Sequence, residues 1–122
     1  MTWQPEIDEL KARERLAYEM GGAEKVARQR HGGKLTVRER IAQLLDSGSF
    51  HEVGAIAGKA EYGPDGELKD LMASNFVCGR GRIENRPVVV GGDDLTVRGG
   101  AADASIWEKQ EVSEQMAGDL RL

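Results

Sequence analysis

Three consecutive valines, Val88–Val90, constrain the fold of this chain more than any other feature. Pro87 precedes them and Gly91–Gly92 follow. A β-branched run favours extended backbone. With no polar residue alternating through it, it predicts a strand buried on both faces. Pro87 has no ladder donor and fits only at the start of that strand. Upstream, Phe76–Ile83 reads as a second strand, and Asn85-Arg86 as the tight turn of a β-hairpin. Downstream, the chain passes Asp93-Asp94 and Arg98 and reaches Gly99–Gly100. The segment "AADASIWEKQEVSEQMAGDL" then predicts a helix of about five turns starting directly after the glycines. Ala102, Ile106, Ala117 and Leu120 share one of its faces.

Earlier in the chain, "LTVRERIAQLLDSGSF" carries a complete helix signature. Thr36 with Glu39 forms a capping box, which satisfies two orphan backbone donors. Val37, Ile41, Leu44 and Leu45 recur at helical spacing, and Gly48 stops the pattern. "FHEVGAIAG" reads as a short strand, and "EYGPDGELKD" as a loop built on Gly63, Pro64, Asp65 and Gly66. Residues 4–30 predict two weakly amphipathic helices separated by Gly21–Gly22. The first places Ile7, Leu10, Ala12 and Leu16 at loose helical spacing, and the second is "AEKVARQRH". Two readings fit this region: a solvated helical arm, or a segment whose apolar face packs on a partner subunit. There is no internal repeat and no low-complexity stretch.

At 122 residues the chain suits one modest domain, burying roughly two thirds of its unfolded surface. Sixteen glycines against three prolines point to tight turns and close backbone approaches, not to disorder. The net charge is −4, basic residues are spread along the chain, and residues 91–122 are its most acidic part. This distribution argues against a nucleic-acid surface. Met1–Glu9 is polar and acidic, unlike a signal peptide, and no run approaches the ~20 apolar residues of a membrane span. A soluble, cytoplasmic protein without membrane contact is the expectation. The single cysteine, Cys78, cannot form an internal disulfide and reads as a small buried strand residue.

Side chains with obvious chemistry are sparse. "GRGR" at Gly79–Arg82 lacks the third glycine of a dinucleotide fingerprint, and a strand follows it instead of a helix. Its glycines instead suggest a bulge or a close crossing. His31 and His51 have no evident partners and read as surface or turn residues. Asp93-Asp94 reads as a capping or turn pair more readily than as a metal site, because adjacent strand side chains point opposite ways. Ser105 has no base nearby. No catalytic residue and no metal ligand is assigned. The glycine turn has two readings. Its N–H groups, at a helix start beside Arg98, can receive an anion or a developing oxyanion; otherwise it is a tight strand-to-helix turn with no ligand.

Two blocks carry a family resemblance: "GKLTVRERIAQLLDSGSFHEVG" and "SNFVCGRGRIENRPVVVGGDDLTVRGGAADAS", with Ser74 standing where the family pattern has alanine. Over about residues 20–120 the chain resembles the N-terminal part of the carboxyltransferase (β) subunits of biotin-dependent acyl-CoA carboxylases, such as those acting on propionyl-CoA and methylcrotonyl-CoA. The resemblance implies an α/β fold of the crotonase-like (ClpP/crotonase) superfamily, built of ββα units. Residues 1–34 would form a helical arm, and residues 35–122 the truncated start of the N-terminal carboxyltransferase domain. It further implies transfer of a carboxyl group between carboxybiotin and the α-carbon of an acyl-CoA. The biotin would ride on a partner protein or domain, with a biotin carboxylase and carrier subunit as partners and a homo-hexamer as the full-length assembly. Two oxyanions need stabilising in such a reaction, and backbone N–H pairs at glycine-rich turns do this with few catalytic side chains. Arg98, Gly99, Gly100 and Ala101 match the turn that in this family lies near the CoA moiety, so they are the expected acyl-CoA contacts. The glycine-rich oxyanion turns and the biotin-binding half would lie outside these residues. The chain alone is therefore expected to be inactive, and a non-catalytic CoA-binding or oligomerisation module is the alternative.

Overall fold

Thr36 opens the helix on which the fold is organised. Its side chain accepts from the Glu39 N–H at 3.2 Å, and the Glu39 carboxylate accepts from the Thr36 N–H at 3.1 Å. The predicted capping box is thus formed. The computed structural model describes residues 2–122. Its helices are α1 (Gln4–Tyr18), α2 (Ala23–His31), α3 (Val37–Leu44) and α4 (Trp107–Leu120). Its strands are β1 (His51–Val53), β2 (Gly58–Tyr62), β3 (Leu68–Ala73), β4 (Phe76–Ile83) and β5 (Arg86–Asp93). An antiparallel sheet runs in the order β1-β4-β5, and β2 and β3 form a separate hairpin.

The sheet lies between α3 and α4, which both contact β4 and β5. Strand periodicity divides the two faces. Val77 joins Val37, Ile41 and Leu45 in the core, with Val88 and Val90 packed against it. Cys78 points the other way, toward the α4 backbone. On the α3 face each glycine of β4 stands opposite a valine of β5: Gly79 faces Val90 and Gly81 faces Val88. This pairing of small against large makes room for the helix. A Cβ at Gly81 would lie 2.5 Å from the Leu45 side chain, and one at Gly79 would lie 2.3 Å from the His51 carbonyl oxygen. The strand glycines thus serve close packing, as expected.

Several expectations are corrected. The valines are half-buried, because β5 is an edge strand. Leu44 is exposed, since α3 turns only Val37, Ile41 and then Leu45 onto the sheet. The hairpin turn is Glu84-Asn85, not Asn85-Arg86: both residues have φ in the left-handed region, 48° and 68°, as a two-residue turn requires. The Asp46 carboxylate accepts both of their N–H groups, at 2.9 and 2.7 Å. Around the Gly63–Gly66 turn the chain pairs into β2 and β3 instead of staying a loop. The last helix starts at Trp107 and buries Lys109 and Ser113, so Leu120 is exposed and the predicted face is not the packed one.

The first two helices form as expected. Leu16 and the buried Ala17 pack on Leu71 and Ala73 of β3, while Ile7 and Leu10 remain exposed. Arg38 ties α1, α3 and β1 together. Its guanidinium lies 4.3 Å from the Tyr18 ring centroid and grips Glu52 at 2.5 and 2.9 Å. No described helix is long and apolar enough to cross a membrane.

Candidate functional site

Asn75 builds the site. Its side chain is buried, its Nδ2 donates to the Ala101 carbonyl at 2.9 Å, and its own N–H donates to the Ala104 carbonyl at 3.1 Å. The Asn75 carbonyl accepts from the Asp94 N–H at 2.8 Å. One buried residue thereby holds both ends of the loop 94–104. Within the loop the buried Asp94 carboxylate accepts from the Thr96 N–H at 3.0 Å and from its hydroxyl at 2.6 Å. This is an Asx turn, and it bears out the structural reading of Asp94.

The loop then carries three consecutive left-handed residues: Arg98, Gly99 and Gly100, with φ of 52°, 60° and 82°. The two glycines adopt this backbone freely; Arg98 does so at a cost of about 1 kcal/mol. Its guanidinium meets the Asp103 carboxylate, with Nη2 to Oδ2 at 2.5 Å. Hydrogen bonding to Asp103 raises the Arg98 pKa, and the same bond lowers that of Asp103. The Lys59 ammonium donates to the Asp103 carbonyl at 3.1 Å.

The expected helix start at the glycines is not formed. The Gly100 and Ala101 N–H groups donate to the carbonyls of Val97 and Arg98, at 3.1 and 3.0 Å. A 3-10 turn at Ala102–Ala104 follows, and α4 begins only after Ile106. The reason is tertiary: Asn75 accepts no helix here, because it takes the Ala101 and Ala104 carbonyls for itself. Arg98, Gly99, Gly100 and Ala101 do lie together on one exposed loop.

Sequence reasoning missed the other wall. A groove of about 510 Å³ runs between α2 and this loop, lined by Lys25, Arg28, Lys34, Leu95, Arg98 and Gly99 among others. No carboxylate lines it among the described residues. Lys25 and Arg28 stand three apart on α2, a spacing that puts them on one face, so part of this signal was legible. Leu95 is an exposed apolar residue beside the cations. A groove of like charge concentrates anions, and guanidinium groups match phosphate oxygens bidentately. The arrangement therefore suits a phosphate-bearing ligand with an apolar part.

The remaining candidates are structural. His31 and His51 are exposed. Cys78 is buried, and burial pushes its thiol pKa up. Lys109 is buried too; its ammonium donates to the Phe76 carbonyl at 2.5 Å and the Ser74 hydroxyl at 3.1 Å, and burial lowers its pKa. Among the described residues no group of three or more His, Cys, Asp or Glu side chains could hold a metal ion.

Comparison with known proteins gives a consistent picture. The family described as the carboxyl transferase domain matches residues 28–120. The chain is 34% identical over 109 residues to the propionyl-CoA carboxylase carboxyltransferase subunit of Haloferax mediterranei, covering 89% of this chain and 21% of the relative. It is 34% identical over 115 residues to the methylmalonyl-CoA decarboxylase subunit alpha of Propionigenium modestum, covering 93% of this chain and 22% of that protein. Among solved structures, the transcarboxylase 12S hexamer with methylmalonyl-coenzyme A and methylmalonic acid bound superimposes with a TM-score of 0.76 at 32% identity. That match covers 96% of this chain and 23% of the other. The chain spans about a fifth of the length of the curated relatives it matches.

Proposed function

The chain belongs to the carboxyl transferase domain family, with that family's crotonase-like α/β fold, and from this premise we propose that it forms the CoA-side wall of an acyl-CoA carboxyltransferase. The parent activity moves a carboxyl group between carboxybiotin and the α-carbon of an acyl-CoA. Arg98, Gly99, Gly100 and Ala101 contact the acyl-CoA, with Lys25, Arg28 and Lys34 facing its phosphates. The cationic groove closed on one side by the glycine turn is the observation that carries this reading. The reading brings with it a biotin carboxylase and carrier as partners, a hexameric assembly and a cytoplasmic setting.

The described residues do not fit carboxybiotin. The Gly100 and Ala101 N–H groups, the donors nearest the expected site, are already committed to carbonyls of their own loop. The 122-residue chain is therefore expected to turn over no substrate alone. Its own contribution is binding and orientation: cations hold the phosphates, and Leu95 covers an apolar portion of the ligand.

Calorimetric titration with CoA and an acyl-CoA tests the reading. Saturable binding is expected, lost in Arg98→Ala and in Gly100→Val. The second variant forces a Cβ to 3.0 Å from the Leu95 side chain at a φ of +82°. No heat at millimolar ligand would overturn the site.

A second reading, an assembly module, is favoured by the exposed stripe of Trp3, Ile7 and Leu10 at the start of α1. Light scattering on the eluting protein decides it: a strictly monomeric folded chain excludes this role.

A further inference from the structure

The helical arm and the glycine loop are joined by a hydrogen bond from backbone to side chain. The Gly21 N–H, between α1 and α2, donates to the Thr96 hydroxyl oxygen at 2.9 Å. The same hydroxyl donates to the Asp94 carboxylate at 2.6 Å. Both Asp94 and Thr96 are buried, at 2% and 3% exposure. The approach is close enough that a Cβ on Gly21 would sit 1.7 Å from the Thr96 carbonyl oxygen. Gly21 thus lies against the loop because it has no side chain.

This contact stands between the two walls of the groove. Lys25 and Arg28 lie four and seven residues after Gly21, on α2; Arg98 and Gly99 lie two and three residues after Thr96, on the loop. The loop itself is anchored to β4 through Asn75 and Asp94. On its other side α2 is tied to α3 by a more exposed bond, from Arg30 Nε to the Glu39 carboxylate at 3.0 Å, and α2 buries only Val26. The Asp94–Thr96–Gly21 relay is the buried bond that joins α2 to the loop itself, so the position of the α2 cations relative to the glycine turn depends on it.

We propose that Thr96 is a positioning residue: held by Asp94, its hydroxyl clamps Gly21 and so sets the spacing between the cations of α2 and the turn at Arg98–Gly100. The proposal rests on the acyl-CoA reading for its ligand, a phosphate-bearing thioester carrier. A hydroxyl is needed because one oxygen must donate to a carboxylate and accept from an amide at once. Serine can do this; valine, of the same shape, cannot.

The test uses the full chain as Thr96→Val, Thr96→Ser and Gly21→Ala, with Ser49→Ala as a control. Ser49 makes a comparable hydroxyl bond, accepting from the Arg82 N–H at 3.0 Å, at the distant end of the sheet. Amide hydrogen exchange reads the clamp and calorimetry with CoA reads its consequence. Thr96→Val is expected to speed exchange across residues 21–31 and to weaken CoA binding about fivefold, the effect of losing one hydrogen bond; Gly21→Ala, whose Cβ would overlap the Thr96 carbonyl oxygen, is expected to do both at least as strongly. Thr96→Ser is expected to restore both, and Ser49→Ala to leave both unchanged. If Thr96→Val binds CoA as tightly as the parent chain, or exchanges at residues 21–31 no faster, the proposal is overturned. If exchange responds as expected but even the parent chain binds no CoA, the clamp is supported and the acyl-CoA reading is overturned.

Discussion

Arg28 and Arg98 face the same groove from opposite sides, yet only Arg98 stood out in the sequence. Arg98 sits beside a glycine pair, a local pattern with a local meaning. Arg28 lies in a helix of mixed charge, and its i,i+4 neighbour Glu24 pairs with it at 3.2 Å on the exposed surface. Such a pair contributes little to stability, so the residue's role comes from where α2 is placed. Reversing its charge, Arg28→Glu, should weaken CoA binding about tenfold at low salt. The deficit should shrink as ionic strength rises, because the interaction is exposed and screened over roughly 10 Å at 0.1 M salt. Titrations at two salt concentrations check this; a salt-independent deficit would place Arg28 in direct hydrogen-bonded contact instead. Asn75 was legible only as part of a family block. Nothing in its own neighbourhood announces that it holds Ala101 and Ala104, which lie more than twenty residues away.

Among the elements, α3 was the most legible, because its signals are local. The capping box and the apolar positions Val37 and Ile41 act within a few residues of one another. Thr36 is wholly buried, so removing its hydroxyl leaves the Glu39 N–H without its partner. Thr36→Ala should destabilise the protein by about 1 kcal/mol, measured as a lower urea midpoint at unchanged slope. A smaller loss would mean that Glu39 alone suffices to cap the helix. The β4–β5 hairpin was legible as a hairpin, but its turn lay one residue earlier than expected. Glu84 and Asn85 gain their left-handed backbone from the Asp46 carboxylate, thirty-eight and thirty-nine residues away. The β2–β3 strands were missed because their turn residues were legible while the pairing of their mixed, mostly exposed flanks was not. For α4 the error was the face: an alanine and leucine pattern suggested one side, whereas Lys109 and Ser113 are the residues buried.

Lys109 belongs to the whole molecule. Its amine is enclosed by β3–β4 residues, with Cys78, Glu52 and Arg38 as the charged or titratable groups close enough to influence it. Burial holds its folded-state pKa below the ordinary 10.5. The unfolded chain therefore binds more protons between the lowered value and 10.5, and stability rises with pH across that window. Cys78 acts in the opposite sense: burial raises its pKa above 9.0, so its contribution is lost as pH rises past that ordinary value. In a Cys78→Ala background, urea unfolding should show stability increasing toward pH 10.5, and Lys109→Met added to it should flatten that rise. Equal slopes in the two proteins would show that Lys109 carries the same charge folded and unfolded.

The amino-acid sequence by itself determined the helix at Thr36, the hairpin around the valines, the close packing of Gly79 and Gly81, and the family to which the blocks belong. Those features depend on residues near one another or on small side chains that admit few alternatives. Only the tertiary structure decided that the glycine turn would close without starting a helix, because Asn75 reaches it from another strand. It alone also brought the cations of α2 to that turn, where Gly21 and Thr96 meet across seventy-five residues of chain and Arg30 of α2 meets Glu39 of α3. A local pattern can specify an element, but a groove between two segments exists only once long-range hydrogen bonds have fixed their distance.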